Sequence, residues 1–440
     1  MSSPNELRGD PAAKVNFPLY AVEMVTDRHF VVAGGGGAAK TGVYNGFATY
    51  QLTFNGEHCV AIEVGKHDTG SRAVMNCSSF EDVKSKKLFF VAGLDDHSQL
   101  YFISKKFEIA RSLSYSDQND NDKSPDNSTR KRKPSVKDND VDLNKSSDSL
   151  RKGLLSQRRL RMLAHPMDSV KTDKSPSNES FQKVVRVSPN GKLMATGGCD
   201  GYVRLWQFPS FKPLRDIKAH EKEVDDIDFS PDSQKIVSVA KDGCAFVWSA
   251  KDGNKLCKLD WSPPDKAKYL FKRCRFSLGE SEGQRPRLFT IVNPIGNSKL
   301  PSKSFLQLWD TSSFLLIKSV PHKSAISALA TSPCGKFVAV GSMYDGLVDI
   351  YTSFNLQLVK HVEKAHTNFI TGLAFVPCHT EGGQNNTGLS DAAVISISVD
   401  NQIRVHRIAS RPYSLPLWAA MLLIFIVVSL SFVFCSYLGL

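Results

Sequence analysis

Four consecutive glycines, Gly34 to Gly37, stand inside the segment Asp27-RHFVVAGGGGAAKTGVYNGFATYQL-Thr53. An interior glycine costs about 0.5–1 kcal/mol against alanine, so a run of four belongs where backbone must bend or be approached closely. The apolar runs on either side read as strands, which makes the glycines part of an inter-strand loop. From the residues alone, two readings compete. One is an adjustable loop with no further role. The other is a phosphate loop, because Gly34 is followed at the right distance by Ala39-Lys40-Thr41, close to GxxxxGK[ST]. That match fails twice: Ala39 replaces the last glycine, and the chain continues as a strand with no helix N-terminus to hold phosphate.

Other chemistry is sparse. No acid, base and nucleophile are grouped by spacing anywhere in the chain. The nine cysteines are an odd number, scattered singly from Cys59 to Cys435 with no CxxC pair. They read as reduced cytosolic thiols, against a disulfide framework or a zinc site. His220, His322 and His366 recur at equivalent places and read as hydrogen-bonding structural residues.

Those histidines belong to repeats. Ser188-Pro189, Ser230-Pro231 and Ser332-Pro333 each open an apolar strand, followed by Asp200-Gly201, Asp242-Gly243 or Asp345-Gly346 and a strand ending in Trp206, Trp248 or Tyr351. Asp-Gly pairs supply the positive φ angles of a tight hairpin. Pro189 and Pro231 are 42 residues apart, as are Trp206 and Trp248. A period of about 40–45 residues with four short strands, an early His and a late aromatic marks WD-repeat propeller blades. One small sheet cannot bury both faces, and radial packing buries each against the next. The units fall at 15–53, 54–107, 170–213, 214–256, 257–313, 314–358 and 359–408. The expected fold is all-β, a seven-bladed WD-repeat β-propeller.

The remaining segments differ in composition. Residues 1–14 read as an N-terminal arm, 15–111 as blades one and two, 112–169 as a disordered charged insert, and 170–411 as blades three to seven. The insert is rich in Ser, Asp, Asn and Lys, and cannot bury enough apolar surface to offset its ordering entropy. Its basic cluster Arg130-KRK-Pro134 has the form of a nuclear localisation patch, and residues 151–164 mix leucines with basic residues as a short helix would. Trp418 to Tyr437 is a 20-residue apolar run in a chain that is otherwise 23% charged. About 20 helical residues span a bilayer core, so 415–438 reads as a single transmembrane helix, with 439–440 as a lumenal end. Arg404, Arg407 and Arg411 precede it and keep the propeller in the cytosol, tail-anchored.

The loop Gly34-GGGAAKTGVYNG-Phe47, in the first blade of a tail-anchored propeller, resembles the signature of the endoplasmic-reticulum guanine nucleotide exchange factors of the COPII-coat small GTPase. In animals this family is called the prolactin regulatory element binding protein. The blades Ala195-TGGCDGYVRLW-Gln207 and Ala219-HEKEVDDIDFSPD-Asp232 and the terminal anchor extend the resemblance over nearly the whole chain. The insert is one departure from the pattern, and the nearly absent lumenal part is another. The resemblance implies release of GDP from that GTPase at the endoplasmic-reticulum membrane, starting vesicle transport to the Golgi, with no covalent chemistry, no small-molecule substrate and no required cofactor. It implies that Gly34, Gly35, Gly36, Gly37, Thr41, Gly42, Val43, Asn45 and Gly46 form the GTPase-facing exchange loop. It further implies a potassium ion held by backbone oxygens of Gly34, Gly35 and Gly36 and the side chain of Asn45. Peptide and amide oxygens suit such a hard cation.

Two other classes stay open on the residues. A passive membrane-anchored WD-repeat adaptor shares every feature except a reason for four glycines. A DNA-binding transcriptional regulator is suggested by the family's animal name, the net charge of +12 and Arg130-KRK. Against nucleic acid, acidic and basic residues are interspersed, no DNA-reading helix is apparent, and the anchor holds the chain out of the nucleus.

Overall fold

The computed structural model describes residues 8–38, 42–109, 158–176, 180–265, 267–281, 283–295, 303–410 and 417–438. Strands dominate, and they form seven four-stranded antiparallel sheets. The first blade is β2 (Leu19–Met24), β3 (His29–Gly34), β4 (Gly46–Phe54) and β5 (Cys59–Asp68), ordered from the axis outward. The second is β6 (Val74–Asp82), β7 (Lys87–Leu94), β8 (His97–Ile109) and β9 (Arg158–Lys171). Blade three is β10 (Gln182–Val187), β11 (Leu193–Gly198), β12 (Tyr202–Gln207) and β13 (Lys212–Lys218). Blade four is β14 (Val224–Phe229), β15 (Lys235–Ala240), β16 (Ala245–Ser249) and β17 (Lys255–Lys258). Blade five is β18 (Tyr269–Ser277), β19 (Arg287–Pro294), β20 (Ser304–Asp310) and β21 (Leu316–His322). Blade six is β22 (Ile326–Thr331), β23 (Phe337–Ser342), β24 (Val348–Thr352) and β25 (Leu358–Val362).

The seventh blade is completed by the other end of the chain. Its strands β26 (Ile370–Val376), β27 (Ser390–Ser398) and β28 (Gln402–Ala409) are joined on the outside by β1 (Asp10–Lys14). A short helix α1 (Glu381–Thr387) lies between β26 and β27, capped by Thr380, whose side chain accepts the Gly383 amide. A second helix, α2 (Leu417–Leu438), is 22 residues long without a charged residue. Counting only residues whose side chains are described, no helix is long and apolar enough to cross a membrane.

Seven blades match the expected number, but the expected units run about one strand out of step: β5 of blade one falls in 54–107, β13 of blade three mostly in 214–256, and β21 of blade five in 314–358. Two domain boundaries also need correction. Residues 10–14 are not an arm but the outer strand of the last blade, with Asp10 opposite Val405. Residues 158–169 are not insert but most of β9, paired with β8 from Ile109↔Arg158 to His97↔Lys171. The helical reading of 151–164 fails over 158–164 for the same reason: Met162 is buried, held in a sheet among apolar neighbours of blades one and two. The basic cluster 130–134 and the rest of the insert lie outside the described residues.

The recurring histidines are structural, as expected. His220 Nε2 lies 2.8 Å from Ser238 Oγ and its Nδ1 lies 3.0 Å from Asp242, while Trp248 Nε1 donates to the same Ser238 oxygen at 2.9 Å. Burial opposes ionisation of Asp242, but hydrogen bonds from His220 and Cys244 outweigh it and keep the carboxyl below its usual range. Blade seven repeats the chain with His366, Ser396 and Asp400, and puts His406 where blade four has tryptophan. His322 departs, reaching Asp349 at 3.2 Å instead.

Candidate functional site

The glycine loop joins β3 to β4 in the first blade, and its two ends are held by different contacts. Gly34 still belongs to β3, opposite Gly46 of β4. The Gly35 amide donates to the Pro18 carbonyl at 3.0 Å. The Gly37 amide donates to Asn45 Oδ1 at 2.8 Å, and Asn45 Nδ2 donates back to the Gly37 carbonyl at 3.1 Å and to the Gly70 carbonyl at 2.9 Å. The Thr69 amide closes the set on the Asn45 carbonyl at 3.1 Å. One carboxamide thus ties the loop to itself and to the connection into the next blade.

Below this clamp the stem is packed. Tyr44 packs tilted against Phe17 with ring centroids 5.2 Å apart, and Lys66 Nζ stands 3.9 Å over the Tyr44 ring. Burial, with Asp68 and Glu63 nearby, pushes the Tyr44 hydroxyl up, so it stays protonated. Phe47 sits against Phe90 of blade two at 4.7 Å and against His67 at 5.2 Å. Burial pushes the His67 ring down from its usual value.

The expected site residues therefore separate into two groups. Gly34, Gly35, Asn45 and Gly46 are buried stem positions. Gly36 and Gly37 are half-buried, and Ala38, Gly42 and Val43 are exposed, Val43 by 38%. Nothing lies within 4 Å of where a side chain on Gly37 or Gly42 would point, so this end projects into open space. Thr41 lies outside the described residues. The spacing of residues pointed to the loop but not to Tyr44, Lys66 and Gly70, which support it. Tyr44 between Val43 and Asn45 was a legible hint; nothing in sequence marks Gly70.

The Asn45 oxygen accepts the Gly37 amide and keeps one lone pair, and both amide protons are spent on carbonyls. Among the described residues, no group of His, Cys, Asp and Glu is placed to hold a metal.

A second charged cluster lies on the axis, away from the loop. The inner strands enclose a cavity of about 630 Å³ lined in part by Glu23, Arg186, Asp226 and Asp228. Arg275 Nη1 meets Asp226 at 2.6 Å. Burial pushes the Asp228 carboxyl up to about 7, with Arg186 pulling the other way.

Strand direction fixes which face carries the loop. The third strand from the axis starts on the loop's face in blade one, at Gly46. The strands in that position in blades two and seven, β8 and β28, therefore end on the opposite face, at Ile109 and Ala409.

The WD domain, G-beta repeat model matches residues 179–207, 211–249 and 315–352. These are the best-formed repeats and speak only for the fold. Over 423 residues the chain is 32% identical to the guanine nucleotide-exchange factor SEC12 of Mus musculus, covering 94% of each. The chain belongs to the SEC12 family of guanine nucleotide-exchange factors. SEC12 of Rattus norvegicus matches over the same span at 32%, and the SEC12-like protein 1 of Arabidopsis thaliana over 46% of this chain at 29%. A SEC12 match running through blades one and two takes in the glycine loop, which the repeat model does not reach.

Proposed function

We propose that this SEC12-family chain releases GDP from the small GTPase of the COPII coat at the endoplasmic-reticulum membrane, and that the β3–β4 loop is the part that enters the nucleotide site. The observation that carries the reading is the shape of the loop: Gly37 and Gly42 face open space at its outer end, on a stem locked by Asn45. Exchange is an affinity problem. A GTPase holding nucleotide at nanomolar to picomolar affinity has about 12–16 kcal/mol to be offset. The exchanger must bind the emptied GTPase better than the loaded one, and only that difference shifts the equilibrium. Bare backbone approaches a nucleotide pocket closely, and a locked stem loses little ordering entropy on binding.

The reading includes a membrane anchor. The 22 uncharged residues of α2 extend about 33 Å at 1.5 Å each, enough for a bilayer core of about 30 Å. Arg404 and Arg407 lie on its N-terminal side, which supports a cytosolic propeller.

The test is loss of fluorescent GDP from the purified GTPase on adding residues 1–411. Deleting Gly35 to Lys40 is expected to abolish acceleration while the propeller stays folded. Full acceleration by that deletion would refute the loop's role, and none by the intact propeller would favour the adaptor reading.

A further inference from the structure

The outer hairpin of blade two is longer than its sheet. The pairing of β7 with β8 stops at Leu88↔Ile103, but β8 and β9 stay paired for six more residue pairs, from Ser104↔Leu163 to Ile109↔Arg158. At about 3.3 Å per residue the ribbon continues some 20 Å past its inner neighbour. It is not loose, because Met162 is buried and its carbonyl packs against Gly65 of blade one.

What the ribbon presents is basic with one aromatic. Lys105, Lys106, Arg159 and Arg161 are exposed, and Phe107 is 69% exposed. Its one described acidic side chain, Glu108, pairs with Arg161 at 3.1 Å. Lys84 and Lys86, in the turn between β6 and β7, add exposed positive charge on the same face. A largely exposed ring among cations that outnumber their one acidic partner is poorly suited to water alone. It suits an interface where the ring sits at headgroup depth and the cations meet anionic lipid.

The exit of the chain says what lies there. The ribbon runs toward the face where β28 ends at Ala409, opposite the glycine loop. Residues 410–416 separate β28 from α2, and seven residues reach at most about 25 Å. Given the membrane-spanning reading of α2, on which this inference rests, the bilayer surface lies within that reach. We propose that the β8–β9 ribbon is a lipid-contact element that rests on an anionic bilayer, holding the propeller with its glycine loop turned away from the membrane.

The test uses residues 1–411, whose core clusters are all built from residues 12–408 and whose ring is closed by β1. This propeller is floated with vesicles of phosphatidylcholine alone or with added phosphatidylserine. The expected result is salt-sensitive binding to the anionic vesicles only, reduced at least about tenfold in Lys105→Glu/Lys106→Glu/Arg159→Glu and further by Phe107→Ser. GDP release in solution, without vesicles, should be unchanged in these variants, which shows that they fold. Equal binding to both vesicle types, or equal binding by the variants, overturns the proposal. So does retention on an acidic polymer with no vesicle binding. Alkaline extraction of the full chain tests the α2 reading separately, and loss of exchange with flotation intact would strike the proposed function alone.

Discussion

Asn45 and Gly37 hold each other by a reciprocal pair, the glycine amide donating to Oδ1 at 2.8 Å and the carboxamide donating to the glycine carbonyl at 3.1 Å. The third bond of Asn45, to the Gly70 carbonyl, ties this pair to the connection between blades one and two. Asn45→Ala should cost about 1–2 kcal/mol, because one amide and two carbonyls, all partly reached by water, lose partners. Exchange should fall more than tenfold as the loop loses its fixed pose. Asn45→Asp separates two roles. It keeps an acceptor but repels both carbonyls, so a structural clamp predicts failure as severe as that of alanine, measured by GDP release and by urea unfolding. Potassium-dependent activity surviving in the aspartate variant would show a ligand role for this side chain.

Two glycines of the loop should respond differently. Gly35 has φ +140°, and a Cβ there would stand 2.3 Å from Asn45 Oδ1. Gly42 has φ +75° with nothing within 4 Å. Gly35→Ala must displace the clamp and should lower both stability and exchange, by about 1–3 kcal/mol in unfolding free energy. Gly42→Ala meets no neighbour and carries only the positive-φ penalty of about 1 kcal/mol, so it should lower the melting temperature less than Gly35→Ala does. Thermal unfolding of the two variants beside wild type checks this order.

His406 makes the last blade sensitive to acid. Burial holds its ring well below the usual histidine range, so it is neutral in the folded ring. The unfolded chain takes up that proton near pH 6.5 and the folded chain does not. Its contribution is therefore intact above that pH and is lost as the pH falls through it. His406→Gln, which cannot titrate, should show a shallower loss between pH 6.5 and 5, by up to about 1.4 kcal/mol per pH unit. Urea unfolding of both proteins across that range is the measurement.

Asp10 is the pin of the first strand. Its carboxylate lies 2.9 Å from Arg407 Nε, accepts the Cys59 amide at 3.0 Å and meets His58 at 3.2 Å. Asp10→Ala leaves the buried Cys59 amide unpaired and takes the Nε partner from Arg407, which keeps its bond to the Glu57 carbonyl at 2.7 Å, and should cost about 1–3 kcal/mol. Removing residues 1–14 should cost more and expose the edge of β28 to pairing between copies. Light scattering on heating should rise for the truncation before it does for Asp10→Ala.

Blades three, four and six were readable because each keeps its Ser-Pro turn, Asp-Gly hairpin and terminal aromatic. The outermost strands were not. Asp-Pro-Ala-Ala-Lys has a proline and no alternation, which only an edge position tolerates, since the missing amide would face solvent. In blade two the partner strands are separated in sequence by residues 110–157, so no local pattern joins Ile109 to Arg158. The glycine run announced the loop, and the resemblance named its role. That Asn45 is a clamp was invisible, because its partners Gly37 and Gly70 are backbone groups, and backbone geometry leaves no residue type to read.

The strand that completes blade seven is made first and used last. Residues 10–14 pair with residues near position 404, so a ribosome must travel almost the whole message before the two can meet. At about 5–20 residues per second, that delay is roughly 20–80 s. During that time a nascent, unclosed arc of sheets carries a bare edge, and some holding factor or fast local folding of the middle repeats must shelter it until the circle shuts.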